Sequence, residues 1–83
     1  MDRDKILAEV QRVLISVFDF KKEEVTPDTN LYTDLDLDSL DAIDMAAELS
    51  AQTDMLFSND DLRKIRTVSD IVDLIAAKQS EKE

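Results

Sequence analysis

The stretch Asp34-Leu35-Asp36-Leu37-Asp38-Ser39-Leu40-Asp41-Ala42-Ile43-Asp44 sets one hydroxyl, Ser39, among acids where a loop gives way to a helix. From Glu23 to Leu62 the chain has twelve Asp or Glu and no Lys or Arg. It has no His and no Cys anywhere, which removes the usual general base and the usual transition-metal ligands. A hydroxyl there has nothing to activate it and makes a poor catalyst. It is well placed to be modified by another protein that approaches with positive charge. Asp38 is the expected N-cap, with Asp41 in the capping-box position three residues on. This predicts a helix from about Ser39 to Gln52.

Working outward, the chain reads as all-α: a small four-helix bundle of three longer helices and one short one. Ile6, Leu7, Val10, Val13, Leu14 and Val17 recur at helical spacing and predict a first helix over residues 3–18. Asp2 and Asp4 suit the positive end of its dipole. Residues 19–38 follow no sustained period, and Pro27 breaks any helix there. So long a loop asks for a packing reason, and Val25, Leu31, Tyr32 and Leu35 are expected to pin it to the core. Ser58 with Asp61, and Thr67 with Asp70, repeat the cap-and-return spacing. They predict a short third helix and a fourth that ends near Lys78, with Val68, Ile71, Val72, Leu74 and Ile75 on its apolar face. Residues 79–83 are expected to fray. The chain has no Gly, so Asn30, Asn59, Asp36 and Asp54 are the expected substitutes in turns.

Eighty-three residues make one domain at most. A hydrophobic content of 43% is too high for a disordered acidic tail, and no apolar run approaches a membrane span. The mixed-charge N-terminus resembles neither a secretory signal nor a transit peptide, so a monomeric cytoplasmic protein is expected. A formal net charge of −10 disfavours nucleic-acid backbones and anionic membranes as partners. Basic protein surfaces are the natural counterpart.

The second helix carries two apolar stripes. Leu40, Ile43 and Ala47 share one face; Met45 and Leu49 share another, with Ala42 and Ala46 alongside. One stripe is expected to pack inside. The other, flanked by Asp41, Asp44 and Glu48, suits a docking surface on which charge steers the encounter and the apolar centre supplies affinity. Ser39 itself lies beside backbone N–H groups and the positive end of the helix dipole, where an attached phosphodiester would be stabilised. Position alone also fits an ordinary first-turn serine.

The Asp34–Asp44 stretch resembles the Asp-Ser-Leu motif of acyl carrier proteins. So do the helix order and lengths, the Val25-Thr26 pair in the long loop, and Lys64-Ile65-Arg66-Thr67-Val68 at the entry to the fourth helix. The resemblance implies that Ser39 carries a 4′-phosphopantetheine arm, with Asp38 as its neighbour, and that acyl groups ride on the arm as thioesters. The arm would come from coenzyme A through a phosphopantetheinyl transferase. Leu40, Asp41, Ile43, Asp44, Ala47 and Glu48 would face that transferase and acyl-transferring and ketosynthase-type enzymes with basic docking surfaces. Leu31, Met45, Leu49, Phe57, Leu62, Ile65 and Leu74 would line a core able to open around an acyl chain. No metal site and no catalytic residue is implied.

The chain departs from the family at Asp36, where Gly is usual three residues before the Ser. Ala47 stands where a bulkier residue is common, Glu48 where a small one is, and Ser50-Ala51-Gln52 lacks the usual Glu run. These departures look more like carriers of dedicated type II pathways than the housekeeping fatty-acid carrier.

Two rivals come from other classes. Asp34, Asp36 and Asp38 alternate as in a calcium-binding EF-hand loop, but its required Gly falls on Ser39 and its bidentate Glu on Met45. A cofactor-free acidic helical adaptor that binds a basic partner explains the charge. It does not explain a Ser at the helix start beside a second apolar stripe.

Overall fold

The residues at helical spacing near the N-terminus form α1 (Arg3–Phe18), which buries Ile6, Val10, Val13 and Leu14. The structure is a computed structural model that describes residues 3–82, with side chains described through Gln79. Asp4 sits in the first turn of α1; Asp2, expected beside it, lies outside the described residues, as does Glu83. The other helices are α2 (Ser39–Thr53), α3 (Asn59–Lys64) and α4 (Val68–Lys82). α1 packs against both α4 and α2, while α3 leans on α2. The core joins the α1 residues to Met45 and Leu49 of α2, to Ile65, and to Val68, Ile71, Val72 and Ile75 of α4. Fully burying one such side chain is worth about 1.5–3 kcal/mol, so this cluster dominates the stability of so small a fold.

All three expected caps form. Asp38 and Asp41 make the capping box of α2, and Ser58 and Asp61 that of α3. Before α4, the Asp70 amide donates to Thr67 Oγ1 at 3.2 Å and the Thr67 amide donates to Asp70 Oδ2 at 3.0 Å. Each box satisfies amides that a helix start leaves without partners. α4 runs past Lys78 to Lys82, because Gln79 to Lys82 contains no Gly or Pro to stop it.

Asp19, Asp36 and Asp54 adopt positive φ, at 60°, 57° and 58°. Two were expected and Asp19 was not. Asn30 and Asn59 do not adopt it, which corrects that expectation. Asn59 opens α3 with helical backbone. Asn30 turns the chain with its side chain instead: Oδ1 accepts from the amides of Tyr32 at 2.9 Å and Thr33 at 3.0 Å.

The long loop has its packing reason. Val25, Leu31 and Leu35 are buried as expected, Leu37 is buried as well, and Tyr32 is half-buried. A 3₁₀ turn, Lys22–Glu24, begins it. An isolated antiparallel bridge joins Asn30 to Thr67. Around it the Leu31 amide donates to the Arg66 carbonyl at 2.8 Å, and the Val68 amide to the Thr29 carbonyl at 3.0 Å. The buried hydroxyl of Thr29 donates to the Glu24 carbonyl at 3.0 Å and accepts from the Thr26 amide at 3.0 Å. These bonds tie the loop to the α3–α4 junction, and so set the start of α2 opposite that junction.

Candidate functional site

Ser39 is the first residue of α2 and is exposed. The cap fixes it there. The Asp41 amide donates to Asp38 Oδ1 at 3.0 Å, and the Asp38 amide donates to Asp41 Oδ2 at 3.1 Å. Among the described residues the Ser39 hydroxyl has no partner. It opens onto a cleft of about 570 Å³ lined by Tyr32, Ser39, Ala42, Ile43, Asn59, Leu62, Arg63 and Arg66. One wall is therefore α2, the other α3 and the residues just after it.

The two stripes of α2 divide as the spacing requires. Ala42, Met45, Ala46 and Leu49 are buried. Leu40 is 70% exposed and Ile43 51%, and Ala47 is exposed beside them. Asp44 is exposed, whereas Asp41 and Glu48 are half-buried. Asp41 is engaged in the cap. Glu48 accepts from Gln52 Nε2 at 3.1 Å and lines a groove toward α1 with Arg12, Val13 and Ser16. Asp44 is thus the acidic residue of the three that the fold leaves uncommitted.

The seven residues expected around an acyl chain all belong to the core cluster or pack on it. Leu31, Met45, Leu49 and Ile65 are buried in that cluster, and Phe57, Leu62 and Leu74 are half-buried against it. Of the seven, Leu62 lines the cleft beside Ser39.

Three features escaped the sequence reading. Arg63 and Arg66 face the cleft. Tyr32 lies under Arg66, whose guanidinium carbon is 5.9 Å from the ring centroid. Leu56, between α2 and α3, is 86% exposed. A signal for the arginines was present, since Arg63 is the first basic residue after the acidic stretch.

Three of the four carboxylates in the Asp34–Asp41 run accept from backbone amides. Asp34 Oδ2 accepts from the Asn30 amide at 2.8 Å, and Asp38 and Asp41 cap α2. Among the described residues, no three such side chains come together to hold a metal ion. Two carboxylates elsewhere are held below their ordinary range. Asp61 is lowered first by the Ser58 backbone amide and then by Lys78. Asp70 is lowered by the amides of Thr67 and Arg66.

A helix bundle that offers, among the described residues, an unpartnered hydroxyl at a helix start, on the lip of a cleft and without a base, has the features of a domain loaded by other proteins more than those of a catalyst. Comparison with known proteins agrees. Residues 8–75 match the family described as phosphopantetheine attachment site. The acyl carrier protein of Coprothermobacter proteolyticus is 39% identical over 90% of this chain and 92% of its own length. That of Rubrobacter xylanophilus is 32% identical over 96% and 99%, and acyl carrier protein 2 of Ralstonia nicotianae is 32% identical over 87% and 89%. The chain belongs to the acyl carrier protein family. It is a carrier of acyl intermediates and not a catalyst, its cofactor is phosphopantetheine, and it works with biosynthetic enzymes. The cofactor-free adaptor reading is not favoured. No described helix is long and apolar enough to cross a membrane.

Proposed function

We propose that Ser39 Oγ is the point at which the arm is attached, and that the exposed face of α2 is where partners dock. The carrying observation is that Ser39 is exposed, without a hydrogen-bond partner among the described residues, and held at the first turn of α2 by the Asp38–Asp41 box. The residues present fit the group. The hydroxyl is free to form a phosphodiester, the first amides of α2 favour an anion beside it, and Ala42, Ile43 and Leu62 give the adjoining cleft apolar walls. When bound, the arm supplies a terminal thiol that holds acyl groups as thioesters and raises their effective concentration at each partner's active site.

The chain's own residues position and present. Asp38 and Asp41 fix the backbone at the attachment point. Leu40, Ile43 and Ala47 offer apolar contact, while Asp44, with Asp41 and Glu48 beside it, draws in basic surfaces. The partners that fit are a phosphopantetheinyl transferase and then acyl-transferring and ketosynthase-type enzymes. Leu31, Met45, Leu49, Phe57, Leu62, Ile65 and Leu74 form the apolar interior that shelters an acyl chain between partners. The chain works as a monomer in the cytoplasm. Its pathway is fatty-acid biosynthesis or a dedicated type II pathway for specialised polyketide-like or lipid acyl groups; Asp36, Ala47 and Glu48 support the dedicated one.

The test is intact mass after incubation with coenzyme A, Mg²⁺ and a broad-specificity phosphopantetheinyl transferase. One arm is expected on the wild type and none on Ser39→Ala. An arm on Ser39→Ala, or none on the wild type with several active transferases, overturns the assignment.

A further inference from the structure

We propose that Arg63 and Arg66 form an anion-binding wall across the cleft from Ser39, and that its ligand is the phosphodiester of the arm. This rests on Ser39 being the attachment point. Both arginines line the cleft that Ser39 opens onto. Arg3, Arg12 and Lys78 are committed to acids, pairing with Asp73, Glu9 and Asp61. Arg63 and Arg66 make no ion pair among the described residues. Arg66 is nonetheless held in place. Its Nη1 donates to the carbonyls of Arg63 at 2.8 Å and Ile65 at 3.2 Å, and its guanidinium lies over Tyr32. Asp70 accepts at Oδ2 from the amides of Arg66 at 2.9 Å and Thr67 at 3.0 Å, and the Arg66 charge helps to hold its carboxyl down without a direct ion pair.

The need for such a wall is electrostatic. A phosphodiester on Ser39 adds a negative charge between Asp38 and Asp41, with Asp36 close by in sequence. The α2 dipole helps the anion, but both box carboxylates already draw on that end of the helix. Like charges at this spacing repel, and water and salt screen them only in part. Positive charge on the facing wall offsets the repulsion. Guanidinium suits the task because its planar fork presents several N–H donors to phosphate oxygens and it stays charged at all relevant pH. The ring beneath Arg66 keeps one such fork in position at little entropic cost.

The experiment compares apo and arm-loaded protein for wild type, Arg63→Gln, Arg66→Gln and the double variant. Loading is driven to completion and verified by intact mass. The first readout is the side-chain Nε–Hε resonances of Arg63 and Arg66 in the wild type. Both are expected to shift on loading, and not in Ser39→Ala treated identically. The second is the change in melting temperature on loading. At low salt it is expected to be more favourable in wild type than in the double variant by about 2–4 °C, and the gap should close near 1 M salt, where screening reaches about 3 Å. Loading that leaves the arginine resonances unmoved and the melting shift equal in wild type and double variant overturns the wall while leaving Ser39 assigned. Failure to load overturns the Ser39 assignment, and the wall with it. The resonance readout needs no arginine variant, so a poorly folded arginine variant does not spare the proposal.

Discussion

Asp38 and Asp41 hold each other's backbone, with the Asp41 amide 3.0 Å from Asp38 Oδ1 and the Asp38 amide 3.1 Å from Asp41 Oδ2. Ser39 and Leu40 are the two residues enclosed by this exchange. The box therefore supports α2 and fixes the attachment point together. Asp38→Ala is expected to destabilise by about 0.5–2 kcal/mol and Asp38→Ser much less, since Ser restores a capping acceptor. Urea unfolding of apo protein measures this. Equal stability for Asp38→Ala and wild type would show that the box contributes nothing.

Asp36 takes φ 57° three residues before Ser39. A left-handed backbone costs most L-residues roughly 1–2 kcal/mol, Asp and Asn less, and Gly nothing. Asp36→Gly is expected to hold or raise stability by up to about 1 kcal/mol, and Asp36→Ala to lower it. Asp36→Asn separates backbone from charge, since Asn tolerates the same conformation without the carboxylate. A loss of stability in Asp36→Gly relative to Asp36→Ala contradicts the backbone argument.

The caps of α3 and α4 give stability a defined response to acid. Asp61 and Asp70 both ionise more readily in the folded state than their ordinary value of 3.8. A depressed folded value means the stabilisation is complete above the ordinary value and is lost as pH falls through the lower, folded one. Asp70→Asn is expected to flatten the acid limb of stability against pH below about pH 4. Thermal melts from pH 7 to pH 2 check this. An unchanged acid limb would show that the amides of Thr67 and Arg66 do not favour the ionised carboxylate.

Asp44 isolates the steering charge from the fold, because Asp41 is engaged in a cap and Glu48 faces α1. Asp44→Lys is expected to slow arm transfer several-fold at low salt with stability nearly unchanged, and the gap should narrow as salt rises. Stopped-flow or quenched assays at two ionic strengths measure it. A rate ratio that does not depend on salt argues against steering.

Leu31 and Leu40 test the division between core and docking face. Leu31 is 1% exposed and Leu40 is 70% exposed. Leu31→Ala is expected to cost about 2–5 kcal/mol, much of what a domain this small possesses. Leu40→Ala should cost under about 0.5 kcal/mol and weaken partner binding instead. Melting temperature and transferase affinity, measured on the same pair, decide the matter.

Most of the helical frame was legible in local spacing. α1 ends where the apolar period ends, and the cap pairs at Asp38, Ser58 and Thr67 announce the other three helices. The inner and outer stripes of α2 follow from helix geometry alone. What local spacing does not carry is pairing between distant segments. The Asn30–Thr67 bridge, the burial of Leu37 and the placing of Arg63 and Arg66 opposite Ser39 arise when the long loop meets the α3–α4 junction. Asp19 was missed for a related reason: its positive φ follows the last turn of α1, where its amide donates to the Ile15 carbonyl at 2.9 Å, and Asp carries no turn signal as strong as Gly.

α3 has no fully buried residue. Its attachments are the Ser58–Asp61 box at one end, the half-buried Leu62, and the Lys78–Asp61 ion pair at 3.1 Å, with the same Lys78 amine 5.7 Å from the Phe57 ring centroid. The rest of the bundle is locked by α1, α2 and α4 through the core. Of the four described helices, α3 is the one without a buried residue, and its Leu62 and Arg63 help form the cleft wall that faces Ser39. That wall is therefore the least anchored side of the bundle, while Asp38 and Asp41 fix the hydroxyl on a helix built into the core.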